Sequence, residues 1–180
     1  IIYNGSFADR ITLSVPGEHN VYNALSTIAV ARDLNIPYEV IKKGLEAFTG
    51  TDRRFQIKGQ FNGVTVIDDY AHHPDEIETT LTTIAKYPKN RLWCIFQPHT
   101  FTRTKAFIKE FAQTLSLADN IILAEIYPAR ETDNLGISSK TLCDEIKSLG
   151  KECYYFPTFD EIVNFIKKSC SQGDIVLTMG

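Results

Sequence analysis

Asp68-Asp69-Tyr70-Ala71-His72-His73-Pro74 lies between an apolar run, residues 64–67, and the acidic pair Asp75-Glu76. The apolar run reads as a buried strand. Pro74 suits the first turn of a helix, where acidic side chains complement the positive end of the helix dipole. Two carboxylates, a phenol and two imidazoles are thus gathered at a strand-to-helix crossing. In an open parallel sheet, ligands bind in the crevice beyond the carboxyl ends of the strands. Five polar groups at one crossing are costly to desolvate without a partner, which marks the heptad as a candidate site. A plainer reading also fits: Asp68 or Asp69 caps the helix and one histidine packs in the core.

Before the heptad, Phe55, Ile57 and Phe61 alternate with Gln56, Lys58 and Gln60, and Asn62-Gly63 is the strongest hairpin signal in the chain. The run 64–67 then returns as the second strand of a hairpin. Arg54 is expected at the open end of that hairpin, a fixed cation beside Asp68 and Asp69. A purely structural ion pair is the alternative for it.

After the heptad the pattern is regular. A helix from Pro74 carries Ile77, Leu81 and Ile84. Residues 92–96 form a buried strand that runs into Gln97-Pro98-His99-Thr100. One helix is expected with Phe107, Ile108, Phe111 and Leu115 on its apolar face, then a strand at 120–124 and a polar loop at 125–136. Ser138 or Ser139 caps a helix that Gly150 ends. A short strand at 153–156, a helix capped by Thr158 and a last strand at 174–178 complete the chain. Alternating strands and helices imply an α/β fold, with a mostly parallel sheet of about six strands, helices on both faces and the first hairpin strand as its antiparallel edge. Three strands end in polar signatures, at 68–74, 97–103 and 125–131. Parallel strands place all three on one rim, where His99 and Arg103 face His72 and His73. His99 as an ordinary loop histidine and Arg103 as a helix-surface charge remain open readings.

The first 50 residues differ in character. Residues 11–15 alternate like a half-exposed strand. Helices are expected over 20–33 and 37–48 and should pack together. Asn20, Asn23 and Thr27 share one helical face, and two amides beside a helix start can read the edge of a planar base. Asn20 as a simple cap and Asn23 as a surface residue is the alternative. Residues 1–50 are expected as one unit and 51–180 as a second.

Net charge is −3, so no broad basic face for nucleic acid is implied. No apolar run reaches membrane-spanning length and there is no hydrophobic leader, so no membrane partner is expected. Cys94, Cys143, Cys153 and Cys170 form no CxxC pair and read as reduced thiols of a cytoplasmic protein. The chain opens on Ile1-Ile2 rather than Met, which points to a piece of a longer protein. There is no phosphate-binding GxxxxGK[ST] loop, GxGxxG or GxSxG.

Five motifs in order carry a specific resemblance. They are Gly17-Glu18-His19-Asn20-x-x-Asn23-Ala24, Gly50-Thr51-x-Arg53-Arg54-Phe55, the heptad, Phe96-Gln97-Pro98-His99 and Tyr127-Pro128-Ala129-Arg130-Glu131. Together they resemble the Mur ligases, within that family the branch that joins L-alanine to UDP-N-acetylmuramate in peptidoglycan synthesis. The resemblance implies that residues 1–50 are the tail of a central ATPase domain and 51–180 a carboxy-terminal Rossmann-like domain. It implies ATP and Mg2+ as cofactors, with the metal ligands mainly in a central-domain portion outside this chain, and the rest of the parent chain as partner. Catalytic roles are implied for Arg54, Asp69 and His72, and ATP contacts for Asn20, Asn23, Arg54 and Asp69. Substrate contacts are implied for Tyr70, His72, His99 and Arg103. Thr100 stands where the family commonly has Arg. The competing readings are a metal-dependent phosphoesterase built on the Asp/His cluster and a non-catalytic nucleotide-binding domain.

Overall fold

The computed structural model describes residues 9–180, together with the backbone of residues 2–3 and 6–7. The chain divides into two compact units, Ile1–Asp52 and Arg53–Gly180.

In the first unit, β1 (Ile2–Tyr3) pairs antiparallel with β2 (Ser6–Phe7). Residues 11–15, expected as a strand, join no sheet among the described residues. Ile11, Leu13 and Val15 are nevertheless half-buried while Thr12 and Ser14 are exposed. The side-chain alternation of a strand is present, but a strand also needs a neighbour for its backbone N–H and C=O groups, and none pairs with it here. Helix α1 (Glu18–Asp33) and helix α2 (Tyr38–Ala47) pack together as expected. Among the described residues of this unit only Ile28 and Ile41 are buried hydrophobics, whereas Val30 and Leu34 are 61% and 66% exposed.

The second unit opens on a hairpin. β3 (Gln56–Phe61) pairs antiparallel with β4 (Val64–Asp69), with an irregularity between Ile57 and Gly59. Asn62 and Gly63 have φ of 49° and 77°, the left-handed pair that a two-residue type I′ turn requires. Helix α3 (Pro74–Ala85) follows, then β5 (Leu92–Phe96). The single helix expected around Phe107–Leu115 is two: α4 (Phe101–Ala106) and α5 (Ile108–Leu115). They break at Phe107 (φ −117°, ψ 25°), whose ring stacks edge-on with His73 at 4.9 Å. Tertiary packing of that aromatic ring overrides helical continuity. β6 (Asn120–Leu123), α6 (Ser139–Ser148), β7 (Cys153–Tyr155), α7 (Phe159–Ser169) and β8 (Ile175–Met179) complete the unit.

The six strands lie in the order β3-β4-β8-β5-β6-β7, all parallel except β3 at the edge. The order explains the layering. From β4 through β5 and β6 to β7 the chain steps in one direction, and from β7 to β8 it steps back. Right-handed crossovers then put α3, α5 and α6 on one face and α7 on the other. The two apolar clusters follow this division. Ile77, Phe111 and Leu142 pack with Ile67, Cys94 and Phe96 in one, and Ile162 and Ile166 with Val64, Trp93 and Val176 in the other. The fold expected from sequence is therefore the fold observed.

Candidate functional site

The parallel register fixes where the polar signatures emerge. Asp69 and Phe96 both pair with Met179, and Phe96 pairs with Leu123, so β4, β5 and β6 leave the sheet at one level. The same lip is extended past the strands by a bridge between His99 and Tyr127, with Thr100 N–H donating to Tyr127 O (3.0 Å) and Tyr127 N–H to Pro98 O (2.9 Å). Tyr70 and His72 meet at 5.1 Å between ring centroids, His72 and His99 at 6.4 Å, and His99 stacks on Tyr127 at 5.5 Å. Side chains from three crossings thus form a continuous aromatic and imidazole line.

Asp69 lies beneath this line rather than on it. It is 5% exposed, and its two oxygens accept the backbone N–H groups of Phe55 and Ala71, each at 2.8 Å. Tyr70 N–H donates in turn to Arg53 O. The carboxylate thereby pins the segment before β3 to the segment after β4. Asp68 accepts from the Thr178 hydroxyl (2.7 Å) and pairs with Arg53 Nε at 3.5 Å. The cation fixed at the open end of the hairpin is therefore Arg53, where Arg54 was expected. Both guanidinium groups lie over the Tyr70 ring, at 4.8 Å for Arg53 and 5.7 Å for Arg54. Positive φ at Arg53 (56°) and Phe55 (50°) turns the chain here, so strand alternation does not predict which arginine meets which carboxylate.

Neither aspartate caps α3. Its N-cap is His73, and Glu76 reaches back to accept the backbone N–H groups of His72 (3.1 Å) and His73 (3.3 Å). Burial alone would raise the Glu76 carboxyl. The His72 N–H, the His72 ring, the His73 N–H and the Arg54 guanidinium outweigh it and hold the group below the usual range. Nδ1 of His72 sits 2.9 Å from Tyr70 O. A carbonyl only accepts, so in the neutral ring the proton is on Nδ1 and Nε2 presents a lone pair.

Across the lip, Thr100 has φ 68° and ψ 147°, a conformation foreign to a β-branched residue. Its carbonyl accepts from Thr104 N–H (3.1 Å) and the Thr104 hydroxyl (2.7 Å). Nη1 of Arg103 is buried without a hydrogen-bond partner. Burial, the Arg103 charge and the His72 ring together hold the His99 imidazole below its ordinary pKa, and Glu131 pulls the other way. Glu131 itself accepts Phe101 N–H at 2.5 Å and Thr102 N–H at 3.1 Å.

Arg54, Tyr70, His72, His99 and Arg103 are thus brought to one lip, with Asp69 supporting them from below. Asn20 and Asn23 belong to the first unit. There the Asn23 amide donates to Asn20 Oδ1 (3.2 Å), the Asn20 amide to Pro16 O (2.6 Å) and the Thr27 hydroxyl to Asn23 O (3.0 Å). All three line a cavity of about 380 Å³ between α1 and α2, with mostly apolar walls including Val15, Ala24 and Phe48. Sequence reasoning missed Arg53, Glu76 and Glu131 as supports. The spacing His73-x-x-Glu76 carried a capping-box signal for the second; the third stood in the polar stretch 125–131, but nothing local showed its partners, some 30 positions away in the chain.

Among the described residues no group of three or more His, Cys, Asp and Glu side chains could hold a metal ion. All four cysteines are free thiols. No helix of the described residues is long and apolar enough to cross a membrane.

The Mur ligase glutamate ligase domain matches residues 53–180. A UDP-N-acetylmuramate–L-alanine ligase of Lachnospira eligens is 59% identical over 180 residues, all of this chain and 39% of the relative. One from Caldanaerobacter subterraneus is 48% identical, again over the whole chain and 39% of the relative. Among solved structures, the UDP-N-acetylmuramate–alanine ligase of Thermotoga maritima superposes with a TM-score of 0.81 at 36% identity, covering 99% of this chain and 38% of that one. This chain therefore spans about two fifths of the length of the curated relatives it matches.

Proposed function

The chain belongs to the Mur ligase family, and from that membership we propose that it is part of an ATP-dependent ligase that joins L-alanine to UDP-N-acetylmuramate through an acyl phosphate, in peptidoglycan synthesis. The observation that carries the reading is the convergence of Tyr70, His72, His99 and Arg103 at one lip of a parallel sheet. Residues 1–50 are read as the tail of a central ATPase domain and 51–180 as the carboxy-terminal domain. The division of the chain at Asp52/Arg53 and the many exposed apolar side chains of the first unit support this.

In such a reaction ATP phosphorylates the muramoyl carboxylate, the amine of alanine attacks the acyl phosphate, and phosphate leaves. Negative charge builds on phosphoryl and acyl oxygens, so fixed cations aimed at them supply most of the catalysis. Arg54 is the proposed cation for the ATP phosphates, its guanidinium steadied over Tyr70. Asp69 serves that role indirectly, by holding the Phe55 N–H and with it the turn that carries Arg54. His72 and Tyr70 are assigned to alanine and the acyl centre. Arg103, whose Nη1 has no hydrogen-bond partner, and His99 are assigned to the muramoyl substrate. Asn20 and Asn23 present amides toward a mostly apolar cavity, suited to a planar base such as adenine. Magnesium would serve the ATP phosphates. The donor set here does not fit it, since Asp68 and Asp69 are committed to Thr178, Arg53 and backbone N–H groups. The same commitments disfavour a metal-dependent phosphoesterase built on these aspartates.

The test is ADP release by the full-length protein. Release that requires both UDP-N-acetylmuramate and L-alanine is expected, with none from the 180-residue chain alone. Phosphoester hydrolysis or ADP release by the isolated chain contradicts the proposal.

A further inference from the structure

We infer that Glu131 is a positioning residue: its carboxylate clamps the start of α4 and so holds Arg103, whose Nη1 lacks a hydrogen-bond partner, in place for an anionic group of the substrate. The inference rests on the ligase reading, which it deepens. Glu131 stands on the loop after β6 and spans to the strand-to-helix crossing after β5. It accepts Phe101 N–H at 2.5 Å and Thr102 N–H at 3.1 Å, two donors that have no partner within their own helix. Hydrogen bonds from the Thr102 side chain, the Phe101 and Thr102 N–H groups and the Thr100 side chain hold its carboxyl below the usual range, despite some burial.

Immediately before the clamped residues stands Thr100, the N-cap of α4, at φ 68° and ψ 147°. A backbone in this region persists only where its surroundings over-determine it, and such residues cluster at functional sites. Here the Thr100 N–H is held by Tyr127 O, its carbonyl by Thr104, and its hydroxyl accepts Arg103 N–H at 3.4 Å. Glu131 grips the two residues in between. The turn gives His99 and Arg103 a fixed separation, with His99 stacked on Tyr127. The arrangement also commits the Glu131 charge to backbone donors. It forms no ion pair with Arg103 among the described residues, and Arg103 Nη1 is left without a hydrogen-bond partner.

A cap that merely stabilises the fold would lower the melting midpoint and leave the kinetics of the folded enzyme unchanged. A positioning residue acts through Arg103, so the two substitutions should not be additive. The experiment is a double-mutant cycle in the full-length enzyme, with Glu131→Gln, Arg103→Ala and the pair, at a temperature where circular dichroism shows each folded. Glu131→Gln should raise KM for UDP-N-acetylmuramate about tenfold or more while kcat falls less, and the pair should be no worse than Arg103→Ala alone. Glu131→Asp, which keeps the charge on a shorter arm, should recover part of the loss and serves if the Gln variant does not fold. Unchanged KM in both Glu131 variants, or additive losses in the pair, overturns the inference. Absence of ligase activity in the unsubstituted enzyme instead counts against the functional proposal, so the two failures are distinguishable.

Discussion

His99 is held below the ordinary histidine pKa by burial, Arg103 and the His72 ring, with Glu131 opposing. The unfolded chain therefore binds this proton more readily than the folded one. The stability tied to His99 is complete above its unfolded pKa of about 6.5 and is lost as pH falls from there toward the folded value. NMR titration of the ring should give a midpoint below 6.5, and Arg103→Ala should move it upward. A midpoint at or above 6.5 in the unsubstituted protein contradicts this account of the lip. Asp69 makes a stability statement. Asp69→Ala leaves the buried Ala71 N–H and the partly buried Phe55 N–H without their acceptor, at a cost of about 1–3 kcal/mol for a buried group, so urea unfolding should show a loss of about 2 kcal/mol. A loss under about 0.5 kcal/mol would remove Asp69 as the clamp. The heptad's place at a strand-to-helix crossing was legible in its residues. The pairing of Arg53 with Asp68 was not, because left-handed backbone at Arg53 and Phe55 re-aims both arginines.

At the scale of elements, the strands and helices of the second unit were legible because continuous apolar runs mark strands buried on both faces and apolar periods of 3.6 mark the helices that cover them. Caps at Ser138 and Thr158 and the stop at Gly150 were legible through turn chemistry, and each accepts or donates as expected. Two elements were not. Residues 11–15 have the right alternation but no ladder partner among the described residues, and periodicity says nothing about partners. The break between α4 and α5 depends on the Phe107 ring meeting His73, a contact made across the fold. The Asn62-Gly63 turn offers a direct check. Gly63→Ala must place a Cβ at φ 77° and within 2.6 Å of the Gln172 side chain. The cost should be about 1 kcal/mol or more in thermal or urea unfolding, since the left-handed strain stands even if Gln172 moves aside. Wild-type stability in that variant would mean the hairpin turn is not of the type described.

At the scale of the molecule, the two units differ in what they bury. Arg53–Gly180 encloses a sheet between helices on both faces, whereas the described residues of Ile1–Asp52 bury only Ile28 and Ile41 among their hydrophobics. The lip of the second unit was legible because a parallel sheet has one carboxyl end, and the alternation of elements required that sheet. The supports beneath it, Glu131 above all, were not, because they are contacts between loops far apart in sequence. We propose that this lip acts on a phosphorylated substrate, with Arg54 a side chain that the fold does not require. Arg54 tests it most directly, being exposed and engaged chiefly with the Tyr70 ring. In the full-length enzyme, Arg54→Ala should lower kcat by about a hundredfold or more while the melting midpoint moves by no more than about 2 °C. Unchanged turnover, or a loss of turnover fully matched by a loss of folded protein, would contradict the account.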